Sequence, residues 1–321
     1  MSLIDSETAA LIDAYRTCEF ATLGRDGTPL TWPTAVHRRQ DGTLLVTTSL
    51  AFAQKALNVR RDGRVALLFS DPTGSALERA PQVFVSGTAQ CPEEIVTSPA
   101  GLAEYWQRLF ERQPLSRKYV KAPATLLMDW YYLRLLISIS PERVEVREPL
   151  AHAGPRAGGG QGGGTAGEGS DALAGGRILA GFGTAVLGAV DQAGAPLLAR
   201  TTVTARAEGF EVHAAPDCAV VPGPASLLVH RHDEKLSGLY NALVRGALSE
   251  LGEGTWLLRP ERVVEPNGNG RPSDALRLLA QTRRATKRYL DRRGLDRPRV
   301  PWGEYRRLAA AAQAHQRPAD T

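Results

Sequence analysis

Val46-Thr-Thr-Ser-Leu-Ala-Phe-Ala-Gln-Lys55-Ala-Leu-Asn-Val-Arg-Arg-Asp-Gly-Arg-Val65-Ala-Leu-Leu-Phe69 holds two apolar, strand-like runs on either side of a helical stretch, Ala51–Arg60. Its first strand ends in three hydroxyls, and a lysine follows in the first turns of the helix. Those are the parts a phosphate monoester needs: hydroxyl and backbone donors, the positive end of a helix dipole, and an ammonium group. Lysine is scarce here, five residues against 34 arginines, so its place at Lys55 is not a composition effect. Thr47, Thr48, Ser49 and Lys55 are therefore candidate phosphate ligands. The same residues would also suit a solvated surface helix capped by Ser49.

On either side, short apolar runs alternate with turn signals. Phe20–Leu23 leads into Asp26-Gly27, and Leu30–His37 into Asp41-Gly42. Thr43–Thr48, Val65–Phe69, Val83–Ala89 and Leu133–Val146 complete the series. Many short strands joined by Asp-Gly turns predict an antiparallel sheet closing into a barrel. A helix capped by Ser6 is expected to precede it, over Ser6–Tyr15. Between Pro92 and Met128 the residues Leu102, Tyr105, Trp106, Leu109 and Phe110 recur at helical spacing, an amphipathic stripe. The class is mainly β with helices (α+β).

Eleven of the 23 residues from Gly154 to Gly176 are glycine. Such a run cannot bury apolar surface and divides the chain. The second half repeats motifs of the first: Gly27-Thr-Pro29-Leu30 matches Gly194-Ala-Pro196-Leu197, Leu67-Leu68 matches Leu227-Leu228, Val85-Ser-Gly87 matches Val244-Arg-Gly246, and Pro141-Glu-Arg-Val144 matches Pro260-Glu-Arg-Val263. The expected organisation is a cofactor-binding barrel at 1–150, a flexible linker at 151–176, a reduced barrel at 177–268 and a basic helical extension at 269–321. That extension, helical beyond Pro272 and again over Glu304–Ala314, is expected to brace the second barrel.

Composition sets the outer limits. With 43% apolar and 23% charged residues the chain is globular. Its net charge of +5 is concentrated in residues 271–321, which hold 13 Lys/Arg against five Asp/Glu. A solvated helix face accounts for that charge more simply than a nucleic-acid partner does. The three cysteines, Cys18, Cys91 and Cys218, have no paired spacing. No apolar run is long enough for a membrane helix, and the N-terminus lacks the features of a signal peptide. A cytoplasmic setting is expected.

The blocks quoted above, together with Thr31-Trp-Pro-Thr-Ala-Val-His37 and Gln82-Val-Phe-Val-Ser-Gly87-Thr-Ala, resemble the pyridoxamine 5'-phosphate oxidase-like FMN-binding split barrels, a family that includes users of the deazaflavin coenzyme F-420. The resemblance covers about 7–90, resumes at Leu133–Glu148 and is faint in the second half. It implies that Trp32, Pro33 and Thr34 run along a flavin ring. It further implies that Thr47, Thr48, Ser49 and Lys55 hold the phosphate, with His37 near the phosphate or ribityl chain. Gln82 would reach a flavin bound mainly by a partner subunit, because relatives are usually dimers. Asn241 holds the Gln82 position in the second barrel, so one chain could form the seam by itself as a pseudo-dimer; a homodimer is the alternative. Two departures weaken the match to the oxidase proper: Gln54 stands where a basic residue precedes the lysine, and the C-terminal substrate motif is absent.

The resemblance thus implies an FMN-dependent oxidoreductase acting on a small organic substrate. A coenzyme F-420 reductase is one alternative, and a non-catalytic flavin- or haem-binding protein or a basic-tailed regulator is another. No acid or base is assignable. The pair His230 and His232 lies on one strand face, but no third ligand is indicated, so no metal is expected. Tyr105, Trp106, Trp130, Tyr131 and Tyr132 suit core packing or a substrate pocket.

Overall fold

The computed structural model describes residues 3–150, 173–214, 218–265 and 272–316, and the side chains of 272–275 are not among those described. Most of the expected linker, 151–172, lies outside them.

The first half opens with α1 (Ser6–Ala14), whose cap is Asp5 rather than Ser6: Asp5 Oδ1 accepts from Thr8 N at 2.8 Å. The strands are β1 (Cys18–Leu23), β2 (Pro29–Thr34), β3 (Val36–Arg38), β4 (Leu44–Ser49), β5 (Arg64–Phe69), β6 (Gln82–Gln90) and β7 (Arg134–Arg147). The helices α2 (Gln54–Arg61), α3 (Ala103–Arg112) and α4 (Asp129–Tyr132) lie between them. The seven strands form one antiparallel sheet in the order β2-β1-β5-β6-β7-β4-β3. The single strand expected at Leu30–His37 breaks at Ala35, and its two pieces occupy opposite edges of the sheet. A curling sheet needs such a corner to close on itself.

The second half has α5 (Gly176–Ala180), β8 (Ala185–Val190), β9 (Pro196–Thr201), β10 (Val203–Arg206), β11 (Gly209–His213), β12 (Val221–Arg231), β13 (Tyr240–Gly252) and β14 (Thr255–Val264). Its sheet order is β10-β11-β14-β13-β12-β8-β9. Renumbered from its own first strand and read from the other edge, this is the order of the first sheet. The corner recurs at Thr202, between β9 and β10.

The repeated motifs have a structural reason. Gly87 faces Pro141 at a register shift between β6 and β7, and Gly246 faces Pro260 at the equivalent shift between β13 and β14. At each bulge the backbones approach so closely that a Cβ on the glycine would lie 2.1 Å from Ser140 O or 1.8 Å from Arg259 O. Only glycine fits, and the bulge bends both strands.

Each barrel has its own apolar interior, and a third cluster joins them. Ala21, Ala66, Leu68 and Phe84 of the first pack on Val186, Leu197, Leu198, Leu228 and Leu243 of the second. Each large side chain buried there contributes about 1.5–3 kcal/mol before entropy is counted. Polar contacts frame this seam reciprocally. Arg64 Nη1 donates to Ala193 O (2.9 Å) in the β8–β9 hairpin, while Arg245 binds Asp26 and Thr28 (Oγ1 at 3.0 Å) in the β1–β2 hairpin. The two arginines stand at different positions of the repeat, but the hairpins they grip are equivalent, so each barrel clasps the same hairpin of the other, as across a pseudo-two-fold interface made within one chain.

The C-terminal helices do not brace the second barrel. α6 (Pro272–Asp291) places Tyr289 and Leu290 in the interior cluster of the first barrel, beside α2 residues Ala56 and Val59. α7 (Trp302–His315) buries Tyr305, Ala309 and Ala312 against α3. The apolar stripe of each helix settles where α2 and α3 leave an uncovered apolar surface, a surface the second barrel lacks because it has no equivalent helices among its described residues.

Candidate functional site

Lys55 lies near the start of α2, half-buried, with Nζ 5.5 Å from the centroid of the Trp32 ring. Among the described residues its ammonium has no carboxylate partner. Burial, and after it the Arg134 guanidinium, pushes its pKa down to about 8. Arg134 opens β7 directly across from Ser49, the last residue of β4. It is 8% exposed, its guanidinium lies 4.3 Å over Tyr131 and 5.2 Å over Trp106, and its Nε has no partner. Ser49 Oγ is likewise buried and unpartnered. A half-buried and a buried cation without counter-ions, beside a buried hydroxyl without a partner, are costly together. Arg134 is near enough to Lys55 to depress its pKa, and a phosphate group would supply the counter-charge both cations lack and an acceptor for Ser49 Oγ, so the chemistry of these residues fits a phosphate.

Successive side chains of a strand point to opposite faces, and this divides the three hydroxyls. Thr47 Oγ1 pairs with Tyr105 OH (2.8 Å), and Thr48 Oγ1 donates to Phe52 O (2.9 Å) at the start of the strand-to-helix connection. Ser49 alone among them keeps a side chain unengaged. His37 sits beside α3, with Nε2 3.7 Å from Glu104 and Nδ1 without a partner. Burial and then Arg108 hold its pKa below the usual histidine value. Trp32 and Lys55 thus meet, Ser49 faces Arg134, and Thr47 and His37 share Tyr105 as a neighbour. Pro33 lies across from Glu19, and Thr34 Oγ1 donates only a long bond, 3.5 Å, to Trp32 O.

Gln82 and Asn241 hold equivalent places at the starts of β6 and β13. Two residues on, Phe84 and Leu243 lie in the seam cluster, so both polar side chains share the seam face. Gln82 Nε2 donates to Glu148 O at 3.4 Å, and Asn241 lies across from His230. Neither contacts the Lys55 group. A cleft of about 430 Å³ opens between the barrels at their hairpin end, lined in part by Arg25, Arg61, Arg64, Val190 and Pro224. It includes none of the expected cofactor residues.

Arg134 escaped the sequence reading. Its signal was present: a lone charge inside the apolar run Leu133-Arg134-Leu135-Leu136-Ile137, at a depth where charges are rare unless paired or used. The aromatic set is core: Trp106 and Tyr132 are fully buried and stacked at 5.2 Å, with Tyr305 edge-on to Trp106 at 4.8 Å.

The sequence profile of the pyridoxamine 5'-phosphate oxidase family matches residues 4–144. The first barrel belongs to that family of split barrels. The second lies outside the match, and its kinship rests on the shared strand order and bulges. Among solved structures, a conserved hypothetical protein from Mycobacterium tuberculosis is 24% identical, with 48% of this chain and 95% of that one covered and a TM-score of 0.33. An F-420 reductase is 22% identical (42% and 94% covered, TM-score 0.29), and a haem storage protein from Vibrio cholerae is 16% identical (47% and 100%, TM-score 0.32). No curated protein sequence matches the chain. No helix among the described residues is long and apolar enough to cross a membrane.

Proposed function

We propose that the first split barrel binds FMN and that the protein is a flavin-dependent oxidoreductase acting on a small organic substrate. The observation that carries this reading is the pair of cations, Lys55 and Arg134, without a counter-ion beside the unpartnered Ser49 Oγ and the Trp32 ring. Lys55 and Arg134 would neutralise the phosphate, Ser49 would donate to it, and the Trp32–Thr34 strand would lie along the ring. When bound, the flavin supplies hydride acceptance and donation. The protein's own part is to anchor and orient the group and to keep water from it with the Tyr131, Trp106 and Tyr305 layer.

The second barrel supports a single site per chain. β11 ends at His213 with no lysine between it and β12, so the phosphate grip is not repeated. In this reading 1–150 is the cofactor domain, and 177–268 supplies the opposite wall of the seam, with Gln82 and Asn241 flanking it.

Lys55→Ala is expected to weaken FMN binding by about 1.5–3 kcal/mol, roughly ten- to a hundredfold, since it deletes a charge-assisted contact. Titration of the cofactor-free protein checks this, and an unchanged Kd would sink the assignment. The absorption spectrum of the protein as purified separates flavin, deazaflavin and haem.

The same residue makes binding depend on pH. Lys55 titrates at about 8 in the free protein, and the anion favours the charged ammonium. Affinity should be near its highest between the second phosphate pKa, about 6, and 8, and fall as the pH rises through 8, approaching tenfold per unit until the higher pKa of the complex is reached. In Lys55→Ala this decline should vanish; a decline that persists there would assign it to another group.

A further inference from the structure

At the seam, three side chains from the two barrels converge. Asp71 follows β5 of the first barrel, and His230 and His232 come from the end of β12 in the second. Asp71 Oδ2 lies 3.6 Å from His230 Nδ1 and 3.4 Å from His232 Nε2, and the three ligand atoms all lie within 4.8 Å of one another. The histidine side chains are 2% and 0% exposed and Asp71 is 14% exposed. The carboxylate is the side of the site nearest solvent.

The partners of the other atoms decide what these three present. His230 Nε2 lies 2.8 Å from Glu19 Oε1, a carboxylate further held by Arg200 (2.7 Å) and Ser70 (2.8 Å). A carboxylate can only accept, so Nε2 carries a proton, and in the neutral ring the lone pair of Nδ1 then turns inward. His232 Nδ1 lies 2.9 Å from Asp233 O. A carbonyl can also only accept, so the lone pair of Nε2 points inward too. Asp71 Oδ1 accepts from Thr73 N (3.0 Å) and Thr73 Oγ1 (2.7 Å), leaving Oδ2 unengaged.

With both rings neutral, three acceptor atoms face one another, and His230 Nδ1 is buried with no hydrogen-bond partner. The one donor at hand is the Thr17 hydroxyl, 3.1 Å from His232 Nε2. Acceptors gathered in this way repel unless a cation lies between them. Ligands bound at about 2.0–2.1 Å in tetrahedral directions stand roughly 3.3–3.4 Å apart, close to the two separations found. Each ligand also has the outer hydrogen bond, carboxylate or carbonyl on histidine and donors on carboxylate, that orients ligands in metal sites.

We propose that Asp71, His230 and His232 bind a divalent transition-metal ion of the zinc class, which ties the two barrels together across the seam. The fourth position is open to water or to the Thr17 hydroxyl. Because its ligands come from both halves of the chain, the site exists only when the barrels are docked, and metal binding stabilises the docked state.

The test uses untagged full-length protein, stripped with chelator and titrated with Zn2+ and separately with Co2+. The expected result is one Zn2+ per chain, a Tm raised by the metal, and visible Co2+ bands of tetrahedral intensity. Asp71→Asn retains the carbonyl that accepts from Thr73, and His232→Gln retains bulk; each should lower Zn2+ affinity by about a hundredfold or more and abolish the Co2+ bands. Should a variant fail to fold, the wild-type titration decides. Substoichiometric uptake with no shift in Tm, or uptake equal in wild type and both folded variants, overturns the proposal and leaves a protonated histidine as the cation in the cluster.

Discussion

Glu19→Ala destabilises the protein by about 3–5 kcal/mol, the loss expected when one partner of a buried ion pair is removed and the other is left without a counter-charge. Glu19 is fully buried on β1, yet it points at the seam and not into its own barrel. It holds Arg200 of β9, His230 of β12 and Ser70 of its own barrel. Burial opposes its ionisation, but Arg200 first and His230 next hold its pKa below the ordinary value of 4.5. A carboxyl depressed in the folded state contributes stability that is fully present above its unfolded pKa and lost as the pH falls through the folded one. Urea unfolding at neutral pH and again near pH 4 should therefore show the wild type losing stability in acid and Glu19→Ala losing less. The double variant Glu19→Leu with Arg200→Met should recover much of the loss, because apolar replacements of a buried pair leave no charge stranded. A loss under about 1 kcal/mol for Glu19→Ala would mean that the seam polar network contributes little and that the apolar cluster alone holds the barrels together.

Gly87→Ala and Gly246→Ala should each cost about 3 kcal/mol, at the upper end of what overpacking usually does. The atoms met by the new Cβ are backbone carbonyls, so no side chain can rotate out of the way. The sheet itself must part at the bulge. Gly252→Ala is the control, since a Cβ there meets nothing within 4 Å, and it should change stability by less than about 0.5 kcal/mol. Thermal unfolding of the three variants reads the contrast directly. Equal Tm values would show that the strands separate without cost and that the repeated Gly and Pro-Glu-Arg-Val motifs have some other reason to recur.

The close approach at these bulges also explains why the motifs were readable. Each barrel must bend its longest strand pair at one place, and the local device that does so, a glycine against a proline at a register shift, leaves a mark in the sequence wherever it is used. The turns behaved similarly. Asp26-Gly27 joins strands where expected, the Asp191–Gly194 turn does the same beside the matching Gly194 motif, and Gly27 and Gly194 have φ of 77° and 72°, values that glycine adopts without penalty. The candidate site was legible only as far as its residues lay close in the chain. Ser49 and Lys55 are six positions apart and could be seen together. Arg134 could not, because its place opposite Ser49 is a matter of strand pairing across 85 positions. The destination of α6 and α7 was likewise hidden, since an amphipathic stripe says that a helix will be covered but not by what.

By itself the sequence determined the local devices: which runs are strands, where they turn, that the set occurs twice, and that a lysine follows the hydroxyl-rich strand. These are fixed by steric limits and side-chain periodicity within a few residues. The tertiary structure alone decided which surfaces met. It brought β1, β5 and β6 onto β8, β9, β12 and β13, placed Glu19 between Arg200 and His230, set Asp71 beside two histidines of the other barrel, and returned the C-terminal helices to the first. The physical reason is that burial free energy depends on the total surface removed from water and is indifferent to sequence separation, so partners distant in the chain are chosen by shape and charge that only the folded surfaces possess.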